Sequence, residues 1–148
     1  MKLFIDEDTG ASLGRALAAV GVDAWHVTRG KSARVKPGTP DEVWIPLVAG
    51  DGRLILSRNI QMLDSPVERQ LLIAHSAGVI YLPPHSTSLR LLQLVLKKWS
   101  WLELIAAQTP RPFAYRLTAA GLPITEDLLN HSPRPRRRRW HSVVDTGG

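Results

Sequence analysis

The chain begins MKLFIDED (residues 1–8), a short apolar run that passes directly into three acidic residues. A second run of the same kind, LILSRN (residues 54–59), ends in polar residues at the corresponding point. Both runs are continuously apolar, which is typical of strands that are covered by helices on both faces. We therefore predict that these two stretches are parallel strands of one α/β sheet.

Helices are predicted between the strands from the spacing of apolar residues and from start and stop signals. The clearest start lies at Pro40-Asp41-Glu42, because acidic side chains in a first turn complement the helix dipole. The residues that this helix is expected to bury are Val43, Trp44, Leu47 and Val48. The other predicted helices cover about 9–20, 65–75 and 88–107, and the other predicted strands cover 24–27, 79–82 and 113–118, the last at a sheet edge.

Strands separated by helices predict an α/β three-layer sandwich with a mostly parallel central sheet and right-handed crossovers. We assign this domain to residues 1–129 and a basic tail to residues 130–148. Within the tail, the run RPRRRRW (residues 134–140) holds five arginines and no acid, whereas residues 1–133 carry fourteen basic and twelve acidic residues. Such a run cannot bury itself and repels its own compaction, so the tail is predicted to be disordered.

The composition excludes several classes of protein. The 148 residues contain no cysteine, which rules out a disulfide framework and a thiolate metal site. No stretch approaches the roughly 20 apolar residues that a membrane-spanning helix needs. The acidic residues that follow Ile5 interrupt any signal-peptide core. We therefore expect a soluble, cytoplasmic protein that does not contact a membrane.

Three polar groups lie where strands end or helices begin, at Asp6, at Asp41-Glu42 and at Asn59. Sites in open parallel sheets form beyond the C-terminal ends of the strands, and crossover helices begin at the same edge. These side chains are therefore expected to converge, and their oxygen atoms suit Mg²⁺ or Mn²⁺. A cation would also relieve the repulsion between close carboxylates. The alternative is that the acids only end a strand and cap helices.

Three stretches, MKLFIDED (1–8), DEVWI (41–45) and LILSRN (54–59), resemble in order and spacing the PIN-like domains. The most similar group is that of the VapC-type toxins, whose third motif usually reads Thr-Arg-Asp-Lys, and the resemblance covers roughly residues 1–82. It implies a metal-dependent endoribonuclease, typically a toxin paired with an antitoxin. On this resemblance Asp6 and Asp41 match the first two catalytic acids, and Glu42 is a neighbouring candidate.

One position departs from that pattern. Asn59 stands where the family has an aspartate, and Gln61 stands where many members carry another acid. An amide oxygen can coordinate a cation but brings no charge, so metal binding and water activation are expected to be weaker. Asp64 is a candidate to compensate. Two readings follow: a Mg²⁺- or Mn²⁺-dependent ribonuclease with catalytic residues Asp6, Asp41 and Asn59, and a catalytically weak or inactive module that binds RNA or protein.

Basic residues are candidates for contacts with the RNA backbone. Arg58 is expected beside the acidic site, where it could hold a phosphate. The loop residues Lys31, Arg34 and Lys36 are weaker candidates, since a solvated loop is the favoured interpretation of that stretch. The arginine run could bind RNA, because each phosphate contact adds salt-dependent affinity, or could serve as a solubilising or protein-binding segment. Its candidate residues are Arg136, Arg137, Arg138 and Arg139.

RNA and a cognate antitoxin are the expected partners. The apolar helix over 88–107 could support a homodimer, although a monomer core explains it nearly as well.

Overall fold

The computed structural model describes residues 1–131, and the predicted α/β class is confirmed. One sheet of six strands has the order β2-β1-β3-β4-β5-β6, in which all neighbours are parallel except β5 and β6. The predicted tail lies, from residue 132 onward, outside the described residues. The strands are β1 (Lys2–Ile5), β2 (Asp23–His26), β3 (Leu54–Ser57), β4 (Gly78–Tyr81), β5 (Phe113–Leu117) and β6 (Pro123–Glu126).

Helices cover both faces of the sheet and complete the three predicted layers. Leu3 and Ile5 of β1 belong to a buried cluster on one face, whereas Phe4, between them, belongs to a cluster on the other. This alternation follows from the pleat of a strand, in which successive side chains point to opposite faces. The first face is covered by α1 (Ala11–Ala19), α4 (Ser88–Lys97) and α5 (Trp99–Gln108), and the second by α2 (Asp41–Gly50) and α3 (Pro66–Ala74).

The single helix predicted over residues 88–107 is wrong: two helices occupy this stretch. The chain leaves helical geometry at Lys98, whose φ and ψ are −97° and 12°. The predicted edge strand is also misplaced, because β5 pairs with β4 on one side and β6 on the other. The sheet therefore ends at β6, an exposed antiparallel strand that we did not predict.

The predicted buried face of α2 is partly wrong. Trp44 and Val48 are buried as expected, together with Ile45. Val43 and Leu47, however, are 55% and 46% exposed. The stretch from Val43 to Val48 is apolar almost all the way round the helix, so the spacing of its apolar residues does not indicate which face is buried.

The last described residues pack against the rest of the domain. The ring Nε2 of His131 lies 2.8 Å from a carboxylate oxygen of Asp64, just before α3. Asn130 donates its backbone N–H to Asp127 at 3.0 Å.

Among the helices of residues 1–131, the longest have ten residues, about half of what is needed to cross a bilayer.

Candidate active site

A small pocket of about 100 Å³ opens at the C-terminal edge of the sheet. Asp6 follows β1, Asp41 begins α2 and Asn59 follows β3, and all three line this pocket. Asp8 and Lys36 stand on its wall as well. The expected convergence of residues far apart in sequence is therefore found, because β1 and β3 are adjacent parallel strands that end at one edge.

Asp6 is the most buried acid of the pocket, with 6% of its surface exposed. One carboxylate oxygen accepts hydrogen bonds from the Thr9 backbone N–H at 3.1 Å and the Thr9 hydroxyl at 2.7 Å. The other oxygen accepts from the Ser57 hydroxyl at the end of β3. Burial raises the pKa of Asp6 above its ordinary value, although the hydrogen bonds from Ser57 and Thr9 act in the opposite direction.

The same two hydroxyl groups fix the backbone that follows β3. The Thr9 hydroxyl oxygen accepts from the Arg58 N–H at 3.0 Å, and the Ser57 hydroxyl oxygen accepts from the Asn59 N–H at 2.9 Å. Each hydroxyl therefore donates to Asp6 and accepts from the loop that carries Asn59. This network sets the positions of two pocket residues together, and sequence reasoning missed the part played by Thr9.

Asp41 is held by contacts from its own helix and from the next one. One of its carboxylate oxygens accepts from the indole N–H of Trp44 at 2.7 Å, and the Trp44 ring packs on Phe4 with 5.1 Å between ring centroids. Asp41 also shares a side-chain hydrogen bond with Glu68 of α3. Burial, the charge of Asp41 and this hydrogen bond raise the pKa of Glu68 to about 7, with a further contribution from Asp8.

Glu68 is an acid of this site that the sequence reasoning did not identify. It stands three residues after Ser65, whose hydroxyl oxygen accepts from the Glu68 N–H at 3.4 Å and caps α3. The signal was present in the sequence, because serine followed three residues later by glutamate marks a helix start. Since α3 follows β3, its first turn lies at the same edge of the sheet as Asp6.

Tyr81 ends β4 beside these acids and is completely buried. Among the described residues, its hydroxyl is one of two buried side-chain atoms without a hydrogen-bond partner. Burial raises the pKa of Tyr81, and the charges of Asp6 and Glu68 add to this effect. Its phenol group therefore stays protonated and can act only as a neutral donor or acceptor.

The remaining predicted site residues take different places. Glu42 is exposed and does not line the pocket, and Asp64 contacts His131 instead. Arg58 donates its guanidinium N–H groups to two backbone carbonyls, those of Asp8 at 2.6 and 3.2 Å and of Ser86 at 3.2 Å. Lys31 lines a neighbouring cavity, whereas the guanidinium of Arg34 lies 5.1 Å from the Trp25 ring centroid. Arg136 to Arg139 lie outside the described residues.

The donor set of the pocket suits a hard divalent cation, since Asp6, Asp41 and Asn59 line it and offer oxygen ligands, and Glu68 lies beside Asp41. Within residues 1–131, no three acidic or histidine side chains are grouped closely enough to ligate one ion together. Mg²⁺ commonly binds through one or two carboxylates and keeps several waters, so Asp6 and Asp41 with Asn59 fit an ion of that kind.

Comparison with known proteins gives one match. A family model described as a PIN like domain matches residues 1–84, more than half of the 148-residue chain. The matched part contains every acid of the pocket described above. No curated protein and no solved structure shows significant similarity to the chain.

Proposed function

The chain belongs to the PIN-like domain family, and from this membership we propose that it is a Mg²⁺- or Mn²⁺-dependent endoribonuclease. Domains of this family are commonly nucleases, so hydrolysis of a phosphodiester is the coarse expectation. The observation that carries the proposal is the pocket in which Asp6, Asp41 and Asn59 meet, with Glu68 hydrogen-bonded to Asp41. The oxygen atoms of these side chains come from the ends of β1 and β3 and from the first turns of α2 and α3.

In this proposal Asp6 and Asp41 hold the cation, and Asn59 and Glu68 complete its surroundings. A divalent cation there would supply charge to stabilise the phosphate and would make a nearby water more acidic. Thr9 and Ser57 hold the Asp6 carboxylate in a fixed orientation, and Trp44 does the same for Asp41. The pKa of Glu68 is about 7 without a cation, and a divalent cation beside it would favour the ionised carboxylate that can contribute to the site.

The central experiment compares the parent with Asp6→Asn, which keeps the size of the side chain and removes its charge. We expect Asp6→Asn to lose Mn²⁺ binding in calorimetry and to cut single-stranded RNA at least about 100-fold more slowly, as expected for an essential group in catalysis. Glu103→Gln is the matched control, since this exposed acid lines a cavity with Met1 and Lys2 at the opposite edge. Equal cleavage by the parent and Asp6→Asn would refute the proposal.

A second candidate function is a PIN-like module that binds RNA or protein and cuts little or not at all. Asn59 favours this second function, because the pocket has an amide at the position where the VapC-type pattern has an aspartate. Asn59→Asp separates the two functions. A large rise in metal-dependent cleavage identifies the parent as a weakened nuclease, whereas unchanged cleavage supports the binding module. Gln108→Glu is the control, because it adds the same charge at an exposed position at the end of α5 and outside the pocket.

We also propose that the protein is the toxin of a toxin–antitoxin pair, on the basis of the resemblance of its three motifs to VapC-type proteins. Expression in bacteria should then arrest growth, and Asp6→Asn should abolish the arrest. Growth that is equally slow with both proteins would contradict a toxin role that depends on cleavage.

A further inference from the structure

Cavities continue from the acidic pocket in both directions along the C-terminal edge of the sheet. On one side, Lys36 belongs both to the pocket and to a cavity of about 490 Å³ that Arg29 and Lys31 also line. On the other side, Asp8 and Asn59 belong both to the pocket and to a cavity of about 380 Å³. The three spaces share wall residues and therefore lie side by side, and together we call them the depression.

The depression extends one step further, past the segment that precedes α4. Ile60, Pro84 and His85 line the 380 Å³ cavity and also a larger cleft of about 540 Å³. We call this larger space the far cleft. Its opposite wall is formed by the end of β5 and the residues after it, from Arg116 to Ala119.

The two ends of the depression differ in chemistry. The end at Arg29, Lys31 and Lys36 is a cationic loop that suits phosphate groups. The far cleft is lined by Leu82, Pro83 and Leu117, by Arg116, which is paired with Glu126, and by the exposed His85. A nucleobase suits such a cleft, because its flat faces can stack on an imidazole or a guanidinium group and tolerate apolar neighbours.

Arg58 makes the wall between the pocket and the far cleft rigid. Its guanidinium bonds the Asp8 carbonyl on the pocket side and the Ser86 carbonyl next to His85. These bonds tie the loop after β1 to the segment before α4. The imidazole of His85 is therefore presented by a loop whose position relative to the acidic pocket is fixed.

We propose that the far cleft is a nucleobase subsite and that His85 supplies its stacking surface. It stacks on a base of the RNA strand while the scissile phosphodiester lies over Asp6 and Asp41 and the strand continues along the cationic loop. This inference rests on the proposed function and goes beyond it, because it assigns the path of the strand and the residue on which a base stacks.

Fluorescence anisotropy with labelled oligouridylate, oligocytidylate and oligoadenylate tests the subsite on the full-length protein. His85→Ala should raise the Kd for all three oligomers, by about 5- to 10-fold for the best-bound one, since the stacking of one base is removed. His85→Trp should restore the affinity. The matched control is His75→Ala, an exposed histidine at the end of α3 and at the opposite edge of the sheet, which should leave all three Kd values unchanged.

The outcomes separate the subsite from the nuclease proposal. RNA binding with Kd values that His85→Ala does not alter would overturn the subsite and leave the proposed function intact. Binding that depends on His85 without any cleavage would support the subsite and overturn the nuclease. A parent protein that neither binds nor cleaves RNA would overturn both.

Discussion

The protonation of Asp6 is decided by two opposing local effects. Its side chain is buried, and removal from water raises its pKa because the charged form loses solvation. Three donor groups on Thr9 and Ser57 oppose this effect by stabilising the carboxylate. Their second effect is geometric, because they keep the acid in one orientation. The site therefore depends on two neutral side chains as well as on its acids.

Thr9→Val tests this dependence at the level of single hydrogen bonds. The change keeps the shape of the side chain and removes the bond to Asp6 and the acceptor of the Arg58 N–H. We expect the free energy of unfolding in urea to fall by about 1–3 kcal/mol, since buried polar groups lose their partners. Thr125→Val, on the exposed strand β6, is the control and should change it by less than about 0.5 kcal/mol. Equal effects would show that the Thr9 network contributes nothing.

Glu68 leads to a prediction about how the stability of the metal-free protein, measured with a chelator present, depends on pH. Its pKa is raised from 4.5 to about 7, so between these values the folded protein keeps a proton that the unfolded chain has released. Stability therefore falls as pH rises through this window. Glu68→Gln removes the ionisation, and above pH 7 it should be more stable than the parent by about 1 kcal/mol, allowing for screening by solvent at this half-buried site.

Urea unfolding of the parent and Glu68→Gln across this pH range provides the measurement. The two proteins should converge at acid pH, where Glu68 is protonated in both states. Added Mg²⁺ should remove the difference if the pocket binds the ion. A constant difference at every pH would contradict the raised pKa and point to a change in packing.

At the scale of elements, the sequence identified helices and strands better than it identified their faces and ends. The helix at Asp41 was found from its acidic first turn, but only Trp44 and Val48 of the four residues assigned to its inner face are buried, because nearly every residue from Val43 to Val48 is apolar. The break at Lys98 was missed because neither glycine nor proline marks it. Strand β6 was missed because its residues are exposed and show no apolar period.

Gly14 of α1 packs tightly against β2. A Cβ atom there would lie 2.6 Å from the Cβ of His26 in β2, which is closer than van der Waals contact allows. We expect Gly14→Ala to lower stability by about 1–3 kcal/mol through overpacking, although alanine favours helices. Gly50→Ala is the matched control, because a Cβ in this α2 position meets nothing within 4 Å, and it should stabilise by about 0.5–1 kcal/mol. Thermal and urea unfolding decide between the signs.

At the scale of the whole molecule, the convergence of the site could be predicted because it follows from topology. Parallel strands bring residues after β1 and β3 to one edge, whatever the details of packing. The contribution of Glu68 could not be predicted from topology alone, because the packing of α3 against α2 determines which residue of its first turn reaches Asp41. The hydrogen bonds of Asp6 with Thr9 and Ser57 could not be predicted either, since they are side-chain contacts between separate elements.

Charge is distributed unevenly over the whole chain. The net charge is +6, and five of the nineteen basic residues lie between 134 and 139, outside the described residues. The described part carries acids in its pocket and cationic residues in the adjoining loop, so the RNA contacts that we propose for it do not involve the arginine run. Whether the run adds phosphate contacts is therefore a separate question from whether the pocket cuts.

Replacement of Arg134 and Arg136–Arg139 by glutamine in the full-length chain answers that question. If the arginines bind RNA, the Kd for single-stranded RNA should rise, and the slope of log Kd against log salt should decrease by about 0.7 for each phosphate that the run no longer neutralises. Replacement by lysine is the control, because it keeps the charge and should keep most of the slope. An unchanged slope with glutamine would exclude the run from the RNA interface and favour a protein partner, because arginines that neutralise phosphates must contribute to that salt dependence.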